Sequence, residues 1–564
     1  MKGHRSSKII PRSRIIELIS QGNAIVIYKK YVLNLTSWLP KHPGGEKAVH
    51  HMIGRDATDE MNAYHSTEAI NVFKNWKIGE IDYYWENLLP PIQGATYTKA
   101  VQQSGSLLEV KLDDLLTEGS EAELNSSASS INSLEFENKG LGYPGGKVEA
   151  TIPQNMLVLE SNKEDLFPVK SDVIIDPHLL IQNYDNKLAQ QDVLKMPALD
   201  YNTQQYLRDK YSDLHEILIK NGFYKCNYWS YFRELVKISS LLLFSFSFLK
   251  LSYYKISAIL LGMAWQQMTF IAHDAGHVSI THNYQIDNLF GMLISCWIGG
   301  LSLGWWKRNH NVHHLITNDP VHDPDIQHLP FFAVSVRLLE DVYSTYYEKY
   351  LPLDAVARLM IPIQEYLYYP ILCFGRFNLY RLSWMHLIEG KGPRQGKAAW
   401  FRYFEIAGLS FFMWWFFYLI VYKTIEGPWE KLWYVMISHI ATMLVHVQIT
   451  LSHFAMSTSD LGVSESFPQR QIRTTMDVDC PEWLDFLHGG LQFQAIHHLF
   501  PRMPRHNLRR VQPFVIDFCR DVGLHYSIYG FGQGNEIVLS KLEDIAKQCS
   551  IMLEATKKLK EHDH

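Results

Sequence analysis

Two pairs of membrane-length apolar runs limit what this chain can fold into. Leu235–Leu251 and Ile256–Ala272 form the first pair, and Phe404–Tyr422 and Trp433–Leu451 the second. At 17–19 residues, each lies near the lower end of the length an α-helix needs to cross a bilayer. The connectors Ser252–Lys255 and Lys423–Lys431 are short, so both hairpin turns face one side of the membrane and the termini face the other. The long loop between the pairs carries Lys307, Arg308, Lys391, Arg394, Lys397 and Arg402, and the flank carries Arg233 and Lys237. This basic bias assigns the loop and the termini to the cytosol. A fifth run, Leu289–Leu303, is short and holds Gly291, Gly299 and Gly300. It reads as re-entrant or interfacial, because crossing would put the histidines on either side of it on opposite faces of the membrane. Leu353–Tyr368 also reads as interfacial, and Tyr201–Tyr224 as an amphipathic cytosolic or interfacial lead-in.

Histidines cluster next to these runs. His273-Asp274-Ala275-Gly276-His277 ends the second run, and a helix would place its two histidines on one face, one turn apart. His310, His313 and His314 follow in the loop, and His497 and His498 lie after a leading Gln494 with the same spacing. His453 sits just beyond the fourth run. A single His-x3-His at a helix end is more often interfacial polarity than ligation. Eight histidines on four segments are too many for one ion, which takes about four ligands. They point to a two-metal site at the cytosolic edge. Neutral imidazoles suit Fe, Cu, Ni or Zn, and the residues alone leave that choice open.

The N-terminus carries a separate module. Ala24–Ile27 and Tyr31–Leu35 read as strands, followed by His42-Pro43-Gly44-Gly45, where a fixed proline and two glycines allow close approach to a flat group. His42 and His65 could clamp a haem iron from opposite faces. His50 and His51 have no such context and read as solvent-facing. Residues 91–195 are rich in Ser, Asn, Glu and Gly and read as a mostly disordered linker. A tether of about 100 residues spans about 55 Å, enough for the module to visit a site on the same side of the membrane. Net charge is −5, which gives no argument for a nucleic-acid partner. The six cysteines are scattered without a C-x-x-C pair, so neither a disulfide framework nor a thiolate site is expected. The first residues lack the apolar core of a secretory signal.

Residues Ile15–Tyr83 resemble the cytochrome b5 family through Trp38, His42-Pro43-Gly44-Gly45, Asp56-Ala57-Thr58 and His65-Ser66. Residues Tyr201–Tyr529 resemble the membrane desaturases, whose three histidine boxes match HDAGH, HNVHH and QAIHH. The glutamine-led third box behind a cytochrome b5 domain resembles the front-end group, and the long polar linker with Trp305–Pro330 looks most like fungal sphingolipid delta-8 desaturases. The resemblance implies a small α+β haem domain over 1–90, a linker over 91–195, and an all-α four-helix transmembrane domain with a cytosolic helical cap over 196–564. It implies haem b on His42 and His65. It also implies a di-iron centre on His273, His277, His310, His313, His314, His453, His497 and His498, with Gln494 a catalytic residue of uncertain ligation. Asp274, Asn309 and His488 are candidates to orient the rings.

The implied reaction is O2-dependent removal of two hydrogens from adjacent methylenes of a lipid chain, at the delta-8 position of the sphingoid base of ceramide. Electrons would come from NADH through cytochrome b5 reductase at the endoplasmic reticulum. A fatty-acyl front-end desaturase, a di-iron lipid hydroxylase and a non-catalytic haem adaptor are the alternatives.

Overall fold

The computed structural model describes residues 8–97, 176–393 and 395–562. Most of the expected linker, Met156–Leu159 included, lies outside them. The N-terminal module begins with α1, Arg12–Ser20. An antiparallel sheet of three strands follows, in the order β1 (Ile25–Tyr28), β2 (Tyr31–Asn34), β3 (Lys77–Glu80). All four residues of β1 are buried, because α1 covers one face and the helical half covers the other. That half holds α2 (Glu46–His50), α3 (Thr58–Tyr64) and α4 (Thr67–Phe73). Ser66 caps α4 by accepting from the Ala69 amide at 3.2 Å. His51 is fully buried rather than solvent-facing, its ring 5.4 Å from that of His322.

The linker reading extends too far. Its last stretch forms α5, Pro177–Lys195, with Asp176 capping it through the His178 amide. Ile181 is buried among Ile361, Val538 and Leu542. Next comes α6, Tyr201–Lys220, which buries Leu207, Tyr211, Leu214 and Leu218 and leaves Ile217 exposed. It is more than a lead-in: the Tyr211 hydroxyl donates to the Leu499 carbonyl at 2.7 Å, beside the third histidine cluster.

The helical body starts with α7 (Tyr228–Lys250) and α8 (Tyr254–Gly276), which pack side by side. At 1.5 Å per residue each is about 35 Å long. Then α9, Tyr284–Met292, runs on through a π-helical stretch to Ile298, and α10, Leu303–Leu315, leaves at 117°. The turn needs Gly300, at φ +73°, where a Cβ would come within 2.4 Å of the Phe412 ring. A helix that stops in an apolar medium leaves carbonyls without partners. Here Trp415 donates to the Trp297 carbonyl and Trp265 to that of Ile298, both at 3.0 Å, and Arg376 donates to that of Gly299. The start of α10 is held by buried Glu405, which accepts from the Ser302 hydroxyl at 3.0 Å and the Gly304 amide at 2.8 Å.

Among the described residues, two helical segments are long and apolar enough to cross a membrane: Gly396–Thr424 and Pro428–Phe454. Before them come α11 (Gln364–Leu372) and α12 (Gly375–Glu389). The apolar segment expected at the interface packs Ile361 and Tyr368 inward and exposes Leu359 and Tyr366. The first of the two long apolar segments holds α13 (Phe401–Phe412, continuing π-helical to Thr424), and the second holds α14 (Pro428–Ile440) and α15 (Met443–Phe454). The C-terminal part adds α16 (Phe467–Thr474), α17 (Gln494–Leu499), α18 (Leu508–Val522) and α19 (Phe531–His562). This region is mostly helical rather than all-α. Val342–Ser344 pairs with Lys349–Leu351, and Asp477–Asp479 pairs in parallel with Ile528–Gly530.

Candidate metal centre

Four elements end at one place, and each delivers histidines there. From α8 come His273 and His277, from α10 His310, His313 and His314, from α15 His453, and from α17 His497 and His498. The rings of His277 and His310 are 5.1 Å apart, so the run between them returns to the side it left. Seven of the eight histidines divide into two sets. In the first, His273, His277, His310 and His497 each bring a ring nitrogen within 4.8 Å of the others. In the second, His313, His453 and His498 meet the same criterion. His314 lies between, its Nε2 2.9 Å from that of His310 and its ring stacked on His498 at 4.0 Å.

The chemistry of this pocket fits metal. Burying a polar nitrogen without a partner costs free energy, so such atoms are rare. Here Nε2 of His273, His277, His497 and His498 and Nδ1 of His314 and His453 are buried with no hydrogen-bond partner among the described residues. Metal–nitrogen bonds of about 2 Å would satisfy them. Burial first, and then the neighbouring histidines, lower the pKa of His497 and His498, which keeps both rings neutral and able to ligate.

Acidic and amide groups fix the ring orientations. Asp323 lies 2.8 Å from Nδ1 of His313, and Asp325 lies 3.4 Å from Nδ1 of His310. Asn309 donates to Asp325, so it acts on His310 through that carboxylate. Gln471 donates to the His314 carbonyl at 2.9 Å, which turns its oxygen to Nδ1 of His498, also at 2.9 Å. Nδ1 of His498 is therefore the protonated nitrogen and Nε2 is the free one. Spacing arguments missed Gln471 because it lies far from every histidine in sequence, and gave Asp323 and Asp325 no role, although their position just after the second cluster was a usable signal.

Asp274 lies 3.7 Å from Nδ1 of His273. Its closer partners are Arg505, at 2.5 Å, and the hydroxyl of Tyr231, so it ties the first cluster to the segment entering α18. His488 does not orient a ring of the centre; it bonds Gln448 and packs against Phe531. Gln494 begins α17 with its oxygen buried and unpartnered. Trp306 closes one side, its ring 4.5 Å from His310, 5.3 Å from His273 and 5.4 Å from His277.

A second site lies in the N-terminal module. The rings of His42 and His65 face each other with centroids 6.2 Å apart. Two metal–nitrogen bonds of about 2 Å plus the ring radii fill such a gap. Nδ1 of His42 meets the Gly45 carbonyl at 2.7 Å and Nδ1 of His65 that of Met61 at 3.1 Å, so the Nε2 atoms are left for an iron between them. Burial, then His42, lowers the pKa of His65 to about 3, so it stays neutral. The pair fits haem with no open position.

A fatty acid desaturase family model matches residues 252–530, and a cytochrome b5-like heme/steroid binding domain model matches residues 13–82. The chain is 65% identical to a delta 8-(E)-sphingolipid desaturase of Candida albicans over 98% of both chains. It is 57% identical to proteins of the same name from Kluyveromyces lactis (98% of this chain, 95% of that one) and Lachancea kluyveri (98% and 96%). This chain belongs to the cytochrome b5-fusion desaturases. It is a membrane oxidoreductase of lipid metabolism, with a haem-type domain fused ahead of the desaturase domain. The resemblance to cytochrome b5-fusion desaturases, and to the fungal sphingolipid delta-8 desaturases among them, is thereby borne out.

Proposed function

We propose that this desaturase introduces a trans double bond at the delta-8 position of the sphingoid base of ceramide. The observation that carries the reading is the convergence of eight histidines, seven of them in two sets, with six ring nitrogens unpartnered among the described residues, in a chain similar over nearly its whole length to desaturases of that name. His273, His277, His310 and His497 would hold one iron. His313, His453 and His498 would hold the other, with His314 between them. Two irons bound there would supply the O2 activation needed to remove hydrogen from unactivated methylenes, which no acid or base side chain can do. The protein's own contribution is to keep His497 and His498 neutral by burial, aim the rings through Asp323, Asp325 and Gln471, and close the site with Trp306. Gln494 is a catalytic-site residue that presents an amide oxygen where the other boxes present an imidazole.

His42 and His65 would bind haem b and feed electrons to this centre from NADH through a cytochrome b5 reductase. The haem domain occupies residues 1–90, and the desaturase domain begins at α5 rather than at residue 196. Four helices, α7, α8, α13 and the α14–α15 pair, cross the endoplasmic reticulum membrane, with the termini and both metal sites in the cytosol. The deciding experiment expresses the chain in a host that lacks delta-8 unsaturated bases and supplies ceramide and acyl lipids. A sphingoid base lighter by two hydrogens, with the new bond at carbon 8, is the expected product. New double bonds only in acyl chains, or an alcohol in place of an alkene, would refute the assignment.

A further inference from the structure

Both haem-ligand segments touch the helix that carries the second histidine cluster. The His42-Pro43-Gly44-Gly45 turn reaches α10, where Asn311 Nδ2 donates to the Gly44 carbonyl at 3.1 Å. The fit is close: a Cβ on Gly44 would come within 2.9 Å of that same nitrogen, and one on Gly45 within 3.3 Å of the Arg308 side chain. From the other ligand's side, the Tyr64 hydroxyl donates to the His314 carbonyl at 3.3 Å. Asn311 directly follows His310, and Tyr64 directly precedes His65.

Charged contacts surround this junction. Lys47 is only 6% exposed, and its ammonium donates to the Thr345 carbonyl and the Glu348 carboxylate, both at 2.6 Å. On another side, Arg208 of α6 donates to Asp59 at 2.8 Å and to Asp56 at 2.7 Å. A buried lysine with one carboxylate partner specifies an orientation, because undoing the contact leaves a desolvated charge.

We propose that the haem domain docks on α10 through this face, and that Asn311 is the positioning residue that joins the His42 turn to the His310 side of the metal centre. The inference rests on the proposed two-iron, one-haem reading. In each turnover the lipid loses two hydrogens, the haem passes on two electrons one at a time, two protons enter from solvent, and O2 leaves as two waters. The reductant is NADH through its reductase. Electron transfer falls steeply with distance through intervening atoms. A hydrogen-bonded path from the Gly44 carbonyl to Asn311 and along one peptide unit to His310 therefore favours delivery to the set containing His273, His277, His310 and His497. Docking also raises the effective concentration of haem at that set beyond what a tether alone provides.

The test uses the full chain in lipid nanodiscs with ceramide, O2, NADH and reductase, and follows haem reoxidation by stopped-flow absorbance. Asn311→Ala and Lys47→Glu should each slow reoxidation by at least about tenfold, equivalent to about 1.4 kcal/mol. The haem spectrum, its rate of reduction and the iron content should stay at parental values. The exchanged pair Lys47→Glu with Glu348→Lys should recover part of the lost rate, short of the parental value because a carboxylate at 47 cannot donate to the Thr345 carbonyl. Lys47 lies away from every histidine of the centre, so its arm decides the matter if Asn311→Ala loses iron. Reoxidation slowed by less than that in Lys47→Glu, or no recovery in the exchanged pair, overturns the docking proposal. A parent that makes no desaturated base overturns the functional reading instead.

Discussion

The indole of Trp306 occupies the space that a side chain at position 276 would need: a Cβ on Gly276 would lie 2.1 Å from Cζ3. Gly276 is thus part of the site, although no atom of it can ligate a metal. Its bare backbone lets α10 pack its tryptophan against three histidines of the first set. Overpacking of this kind costs about 1–3 kcal/mol when the neighbours can shift. Here they are the metal-site rings. Gly276→Ala should therefore displace Trp306, lower iron content and abolish product while leaving the haem spectrum unchanged. Iron analysis beside haem absorbance on the purified variant reads this directly, and full iron with full activity would contradict the packing argument.

Asp323 holds His313 by Nδ1 at 2.8 Å, and is itself held by the Asn318 and Asp325 amides, which donate to it at 2.8 Å each. Loss of such an orienting group typically costs 10–100-fold in metal affinity or activity, so Asp323→Asn should reduce product formation by about 10–100-fold. Product yield against added iron checks it: excess iron should restore part of the loss.

His273→Ala and His65→Ala should separate the two sites. The first should keep the haem absorbance and make no product. The second should lose haem while retaining the parental content of non-haem iron, and should recover turnover when a soluble electron donor replaces NADH and reductase. Two metal analyses and one product assay distinguish these outcomes. Parallel loss of haem and non-haem iron in either variant would argue against separate sites.

Glu60 on α3 titrates unusually. Burial raises its pKa from 4.5 to about 7, with Arg55 opposing the shift. The folded chain keeps this proton up to about pH 7, while the unfolded chain releases it near 4.5, so stability falls as pH rises through that window, by up to about 1.4 kcal/mol per unit. Glu60→Gln should flatten this dependence and raise the melting temperature at pH 8. Thermal unfolding followed by haem absorbance between pH 5 and 8 measures it, and an unchanged slope would rule Glu60 out as its source.

Much of the site could be read from the chain. A helical pair such as His273 and His277 fixes its own geometry, because spacing of four on a helix means one face. The i, i+3, i+4 spacing of His310, His313 and His314 works the same way, and His42-Pro43-Gly44-Gly45 carries its turn in its residue types. The boundary of the linker was less legible. The Pro177–Lys195 helix has little amphipathic pattern and is held by a few contacts such as Ile181 against α19, which no local reading weighs. His51 was misread for a related reason: its burial comes from His322, more than two hundred residues away.

By itself, then, the sequence determined which residues are ligand types, which helices present them, and that a cytochrome b5-like module and a histidine-rich helical domain share one chain. Those are properties of short segments, set by backbone periodicity and side-chain chemistry. Only the tertiary structure decided how the eight histidines divide into sets of four and three with His314 between them. It alone brought Gln471 to His498 and set the haem turn against Asn311. Each of these depends on where segments far apart in the chain come to rest. That is governed by long-range packing around the bent α9–α10 turn and its tryptophan and arginine caps, a balance that no single segment encodes.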